Sequence, residues 1–195
     1  MKIAVVKYNA GNVQSVLFAL ERLGHRAVWT DDPKTLRDAD RVIFPGVGEA
    51  STAMRYLRER RLDELLTSLR QPVLGICLGL QLFCSHSEEG DTACMGIFDT
   101  VVRRFSGREG LKVPHMGWNT IDDLKGPLFE GVSNDSYAYF VHSFYAEPNG
   151  DAVALTDYGE TFGAALQKDN FFAVQFHPER SGQAGQQILS NFLRL

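Results

Sequence analysis

Residues 73–83 read Val73-Leu74-Gly75-Ile76-Cys77-Leu78-Gly79-Leu80-Gln81-Leu82-Phe83. A short buried run, Val73–Ile76, follows Pro72 and passes through a Gly-flanked cysteine straight into a helical segment carrying Leu80, Leu82 and Phe83. A side chain at a strand-to-helix turn of this sharpness sits on a strained backbone. Side chains two residues to either side would collide with the turn, so glycine is needed at both places. The pattern is the G-x-S-x-G elbow with Cys77 in place of serine. The N–H groups opening the next helix would lie near the sulfur and favour its thiolate, the nucleophilic form. Taken alone, G-x-C-x-G is equally a buried cysteine in a glycine-rich loop.

Outward from this stretch, apolar runs and helical stretches alternate. Ile3–Val6 reads as a strand. Gly11 and Asn12 introduce a helix with Val13, Val16, Leu17, Leu20 and Leu23 at helical spacing, stopped by Gly24. Ala27–Thr30 reads as a strand, Asp31-Asp32-Pro33 opens a short helix, and Arg41–Phe44 is a buried strand ended by Pro45-Gly46. Ser51 is expected to cap one long helix running to about Leu69. The rhythm predicts a parallel sheet with helices on both faces. The second half reads as strands Met95–Phe105, Tyr137–Ala146, Ala152–Asp157, Phe162–Gln167 and Phe171–Phe176, then a closing helix Gln183–Leu195. The expected fold is a single α/β domain, 1–195, with a mostly parallel twisted sheet, flanking helices and additional antiparallel strands.

Composition sets the outer limits. The 195 residues are 44% hydrophobic and 23% charged, which suits a globular chain with a substantial core. Twenty Lys and Arg against 24 Asp and Glu give a formal charge of −4, without the basic footprint of a nucleic-acid binder. The dense charge run Arg55–Glu64 alternates sign and reads as a solvated helix face. Met1–Lys7 has too short an apolar run for a signal-peptide core, and no stretch approaches a membrane span. Cys77, Cys84 and Cys94 form no CxxC pair, which points away from a disulfide framework or zinc site and fits a reducing cytoplasm. Cys84 reads as core.

A cysteine nucleophile needs a base, and five histidines are available: His25, His86, His115, His142 and His177. His177 closes an apolar strand and is followed by Pro178 and Glu179, where a rigid turn would let Glu179 reach back to the imidazole. In an open parallel sheet functional groups gather at the carboxyl ends of strands, where Cys77 also lies. A His-Pro-Glu alone is more often a surface turn, and the elbow reverses that weighting. Phe44-Pro45-Gly46-Val47-Gly48-Glu49 ends another buried strand at the same edge. Its backbone N–H groups, at Val47 and Gly48, could face a tetrahedral oxygen together with the N–H of Leu78. It lacks the Lys-Ser/Thr of a phosphate loop.

Together these pieces resemble the class I glutamine amidotransferase family, and the likeness covers nearly the whole chain. The resemblance implies a flavodoxin-like three-layer fold and a triad of Cys77, His177 and Glu179. Cys77 would attack the side-chain amide of glutamine to form a glutamyl thioester. Gln81 and Ser143 would contact the amino-acid end of the substrate, and Glu89 would pair with its ammonium, although Ser87–Gly90 also reads as a solvated loop. Tyr8–Asn12, Pro114–Asn119 and Tyr139–Tyr145 narrow the resemblance to a branch whose ammonia is consumed by a (β/α)8-barrel cyclase partner, forming a heterodimer. Asn12, Trp118 and Tyr139 would face that partner, though the two aromatics also read as core. Lys7 stands where the family commonly has an acidic residue. No metal and no organic cofactor is implied. The competing readings are a glutaminase subunit of another synthase, such as the pyridoxal-phosphate type, a stand-alone γ-glutamyl cysteine hydrolase, and a non-catalytic module of the same fold.

Overall fold

The computed structural model describes residues 1–9, 13–107 and 111–195. In chain order the elements are β1 (Ile3–Val6), α1 (Val13–Arg22), β2 (Ala27–Thr30), α2 (Pro33–Arg37), β3 (Arg41–Gly46), α3 (Ala50–Glu59), α4 (Leu62–Ser68), β4 (Val73–Cys77) and α5 (Leu78–Phe83). There follow β5 (His86–Ser87), β6 (Thr92–Ala93), β7 (Val101–Arg104), β8 (His115–Ile121), β9 (Ser136–His142), β10 (Phe144–Ala146), β11 (Ala152–Asp157), β12 (Thr161–Lys168), β13 (Phe171–Val174) and α6 (Gly182–Arg194). The main sheet runs β11-β12-β13-β4-β3-β1-β2. Its parallel part is β13-β4-β3-β1-β2, and β12 and β11 extend it antiparallel. A second sheet, β10-β7-β5-β6, and the hairpin β8-β9 are built from the middle of the chain.

Strand alternation separates two cores, one on each face of the main sheet. Ile3 and Val5 point to the side packed by α1 and α6 through Val16, Leu20, Ile188 and Phe192. Ala4 and Val6 point to the other side, where α2–α5 supply Leu36, Met54, Leu57, Leu66 and Phe83. Three layers result, and β4, which ends at Cys77, lies inside the sheet with β3 and β13 as neighbours.

Several elements differ from expectation. The helix expected over Ser51–Leu69 is two helices, interrupted where Arg61 adopts φ 55. The buried positions explain the break: Ala53, Met54 and Leu57 are followed by Leu62, Leu65 and Leu66. The step from Leu57 to Leu62 is five residues, which an unbroken helix would rotate off the core face. The cap is Glu49 and not Ser51, because its carboxylate accepts the N–H groups of Ser51 (3.1 Å) and Thr52 (2.9 Å). The Met95–Phe105 run is a strand only over β7; Gly96 at φ +69 and N–H bonds from Ile97 and Phe98 to the Phe83 carbonyl fold its first part against α5. Tyr137–Ala146 divides at Ser143 between two sheets, with β9 pairing β8 and β10 pairing β7. Pro114–Asn119, quoted above only as a motif, lies largely on β8. All three cysteines are free, and among the described residues no helix is long and apolar enough to cross a membrane.

Candidate active site

Cys77 is the last residue of β4 and immediately precedes α5, with φ 55 and ψ −108. Such a conformation costs a non-glycine residue about 1–3 kcal/mol and persists only where its surroundings enforce it. They do so here by close packing. A Cβ on Gly75 would lie 2.8 Å from a ring carbon of Phe83, and one on Gly79 would overlap the carbonyl oxygen of Phe44. Both flanking glycines are therefore required by contact, and the elbow is pressed against β3. Gly46 of β3 is in register with Cys77, so the loop that follows β3 emerges beside the sulfur.

His177 lies just beyond β13, the other neighbour of β4, and starts the turn Pro178–Arg180. Its Nδ1 is 2.9 Å from Oε1 of Glu179, and the two side chains are 6% and 2% exposed. The backbone N–H of His177 donates to the Tyr139 carbonyl at 2.9 Å, which fixes the turn to β9. With Nδ1 engaged, Nε2 is left buried and without a hydrogen-bond partner of standard geometry. Burial disfavours the imidazolium, but the adjacent Cys77 sulfur and the Glu179 carboxylate outweigh it and push the His177 pKa up to about 10.

The other central histidines have a different character. His142 Nδ1 donates to the Phe144 carbonyl (2.7 Å), so its Nε2 accepts from His115 Nδ1 (3.0 Å). His115 Nε2 in turn faces Asn119 Nδ2 (3.3 Å), whose other proton goes to the Asp157 carbonyl (2.9 Å). This direction of donation fixes both rings as neutral tautomers. Burial pushes His115 down to about 4, and burial with the neighbouring His115 and His177 pushes His142 down to about 3. His86 is 3.1 Å from Asp91, away from Cys77 in an exposed pair.

A cavity of about 330 Å³ opens at Cys77 and is lined by Val47, Gly48, Leu78, Gln81, Glu89 and Ser143, together with Val141 and His142. Seven residues singled out from the sequence thus share one cavity, counting Cys77. Gly48 has φ +126, a region that favours glycine, and Val47 and Gly48 also line a smaller cavity of about 170 Å³ backed by Tyr8. The loop is therefore a thin wall between two spaces. Glu89 Oε2 accepts the Ala50 N–H at the start of α3 (2.8 Å), and burial pushes its carboxyl up. Glu49, held by Ser51 and Thr52 hydroxyls and amides, is pushed down to about 2. A larger cleft of about 490 Å³ beside α6 is lined by serine, glutamine and apolar residues, with no titratable group. Among the described residues no group of three His, Cys, Asp or Glu could hold a metal ion.

Trp118 and Tyr139 face each other across β8-β9, ring centroids 5.9 Å apart, on the outward face of the hairpin. Trp118 is 56% exposed, with Met116 and Tyr137 exposed beside it, so it is not core. Tyr139 is half-buried. Asn12 lies outside the described residues. Lys7 extends over the ring of Trp29, 5.4 Å from its centroid. Sequence reasoning missed Gln175, whose Nε2 is 3.7 Å from Cys77 Sγ, and the Val141 carbonyl at 3.9 Å from it. It also missed the buried hydroxyl of Tyr8, which a Cβ on Gly46 would overlap. A glutamine within an apolar strand, two residues before His177, was the available signal for Gln175.

A family model described as glutamine amidotransferase class-I matches residues 4–195. The chain is 59% identical over 196 positions to the imidazole glycerol phosphate synthase subunit HisH of Bacteroides fragilis, covering 100% of both chains. It is 46% identical to the protein of the same name from Yersinia pseudotuberculosis, again over 100% of both. Among solved structures, PurLQS from Thermotoga maritima superposes with a TM-score of 0.73 at 19% identity, covering 99% of this chain and 97% of that one. A crystal structure of glutamine amidotransferase gives 0.75 at 18% identity, with 98% and 97% covered. At such identities these structures speak to the fold alone.

Proposed function

Because this chain belongs to the class I glutamine amidotransferase family, we propose that it is the glutaminase subunit of an imidazole glycerol phosphate synthase, hydrolysing glutamine to glutamate and ammonia for histidine biosynthesis. The observation that carries the mechanism is the buried His177–Glu179 pair beside the strained Cys77. Cys77 Sγ attacks the side-chain carbonyl carbon of glutamine, and the oxygen takes up negative charge opposite the N–H of Leu78 and those of the Val47–Gly48 loop. The imidazolium of His177 gives its Nε2 proton to the leaving nitrogen, so ammonia departs and the glutamyl thioester remains. The neutral ring then takes a proton from water, whose oxygen attacks the thioester and releases glutamate and the thiolate. Glu179 holds the ring through Nδ1 and touches no reacting atom.

Gln81, Glu89 and Ser143 are assigned to the amino-acid end of the substrate. Gln81 has its amide protons committed within the protein and offers its carbonyl oxygen, while Glu89 offers the carboxylate oxygen not used by the Ala50 N–H. The released ammonia passes to a (β/α)8-barrel cyclase subunit docked on the face of Trp118 and Tyr139. The amidotransferase domain is taken as the whole of 1–195, and its three free cysteines suit a cytoplasmic setting. Glutamate release, measured for the chain alone and with the cyclase, tests the reading. Cys77→Ala should abolish it, while the complex still forms product from free ammonia. Retained glutamate release in that variant would refute the assignment.

A further inference from the structure

We propose that Gln175 is a hydrogen-bond donor to the nucleophile, a carboxamide whose N–H is aimed at Cys77 Sγ so as to favour and orient the thiolate. The proposal rests on the reading of Cys77 as nucleophile. Gln175 is fully buried, and its backbone is anchored by an N–H bond to the Ala164 carbonyl at 2.8 Å. Its side chain has two neighbours: Oε1 is 3.0 Å from Gln81 Nε2, and Nε2 is 3.7 Å from Cys77 Sγ.

Which end of the carboxamide faces the sulfur decides its chemistry, and the surrounding hydrogen bonds decide the end. Gln81 Nε2 also donates to the Phe144 carbonyl at 2.9 Å, an acceptor that cannot reverse its role. Gln81 therefore presents a donor to Gln175 as well. Rotating the Gln175 amide by half a turn would set two NH2 groups against each other and leave an oxygen against the sulfur. The oxygen must face Gln81, and the N–H must face Cys77. No other hydrogen-bond partner of Gln175 Nε2 is found among the described residues, and full burial keeps solvent from it.

A thiol sulfur is a weak acceptor, whereas a thiolate is a charged one, so this N–H contact strengthens when the proton leaves. Gln175 follows directly on β13, the strand paired with β4, so the donor is carried by the neighbour of the nucleophile's own strand. The sulfur thus has the Gln175 N–H at 3.7 Å and the Val141 carbonyl at 3.9 Å, and of the two only the N–H can bond a thiolate. His177 can then exchange protons with the substrate while a neutral donor keeps hold of the sulfur.

The test is alkylation of Cys77 by iodoacetamide in the full chain, followed from pH 6 to pH 10 with peptide mapping to separate Cys77 from Cys84 and Cys94. No substrate is needed, so the result is independent of whether the chain turns over glutamine. Gln175→Met keeps the length, removes the donor, and leaves Gln81 its bond to Phe144. The expected result is alkylation about tenfold slower at pH 7, converging on the wild-type rate at the alkaline end. Gln175→Glu preserves the size and the acceptor for Gln81, and guards against a folding defect in the Met variant. Ionised beside the sulfur, it should displace the profile further toward alkaline pH than Met does. A wild-type alkylation profile in either folded variant would overturn the proposal, even if glutamate release fell. A Cys77→Ala chain that still released glutamate would instead overturn the reading of the nucleophile and leave the alkylation profiles standing.

Discussion

His142 lines the cavity at Cys77 and is the nearest rival to His177 as the proposed general base, so its protonation decides between them. Its ring donates through Nδ1 to a carbonyl and accepts through Nε2 from His115, an arrangement with no room for a second proton. The folded chain therefore binds that proton only near pH 3, whereas an unfolded histidine binds it near 6.5. A group depressed in this way stabilises the fold fully above 6.5, and the contribution is lost as pH falls toward 3. At pH 5 the unfolded chain has been protonated for about 1.5 pH units in which the folded chain has not, a loss of about 2 kcal/mol relative to pH 7. Urea unfolding of wild type and His142→Gln at both pH values reads the contribution of His142 and its bond to His115, because any constant cost of the substitution cancels in the difference. The variant should lose about 2 kcal/mol less on acidification. Equal acid-side losses in the two proteins would show that His142 is charged in the folded state and would reopen the choice of base.

His177→Asn should lower glutamate release by about 10²–10⁴-fold, with Glu179→Gln milder, since orientation survives in part; equal damage from the two would contradict the division of roles. Gly79→Ala should cost about 10²-fold in kcat, because the new Cβ meets a backbone oxygen and moves the elbow by roughly 1 Å. Gly48→Ala, where the space is open but φ is +126, should impair cyclase stimulation more than glutamine binding, as read from kcat and KM with and without the partner. Thiol reagents should label Cys77 ahead of the others, since burial raises the pKa of Cys84 and pushes Cys94 up to about 12; preferential labelling of Cys94 would contradict this.

The parallel half of the fold was legible because each element announces itself locally. Ile3–Val6 and Ala27–Thr30 are apolar or β-branched runs between turn signals, and both form strands with the anticipated bounds. The elbow was legible for the same reason, since Gly75, Cys77 and Gly79 are contiguous and their constraint is local. What was not legible depends on distant partners. The break at Arg61 follows from where the sheet lies beneath α3 and α4, and no glycine or proline marks it. The two-residue strands β5 and β6 have no periodicity to detect. The contact of Gln175 with Cys77 joins residues 98 positions apart, and in sequence it is one polar residue inside an apolar strand.

The hairpin β8-β9 shows why an outer surface and an inner site belong to one unit. Alternation places Met116, Trp118, Tyr137 and Tyr139 on its outward side, and His115, Ala138, Phe140 and His142 on its inward side. Its backbone serves the site as well. The Tyr139 carbonyl accepts the His177 N–H, the Tyr139 N–H donates to Ser181 Oγ (2.9 Å), and that hydroxyl donates back to the His177 carbonyl (2.6 Å). Two residues on, the Val141 carbonyl is the group 3.9 Å from Cys77 Sγ. A partner that seats on Trp118 and Tyr139 thus grips side chains whose own main chain holds the His177 turn and faces the sulfur. The carboxyl ends of β4 and β13 carry Cys77 and His177, the proposed nucleophile and base, but a strand pair outside the main sheet bridges them. These links tie the hairpin to the His177 turn and to Cys77, so a shift of the hairpin along its length would displace His177 and the Val141 carbonyl together.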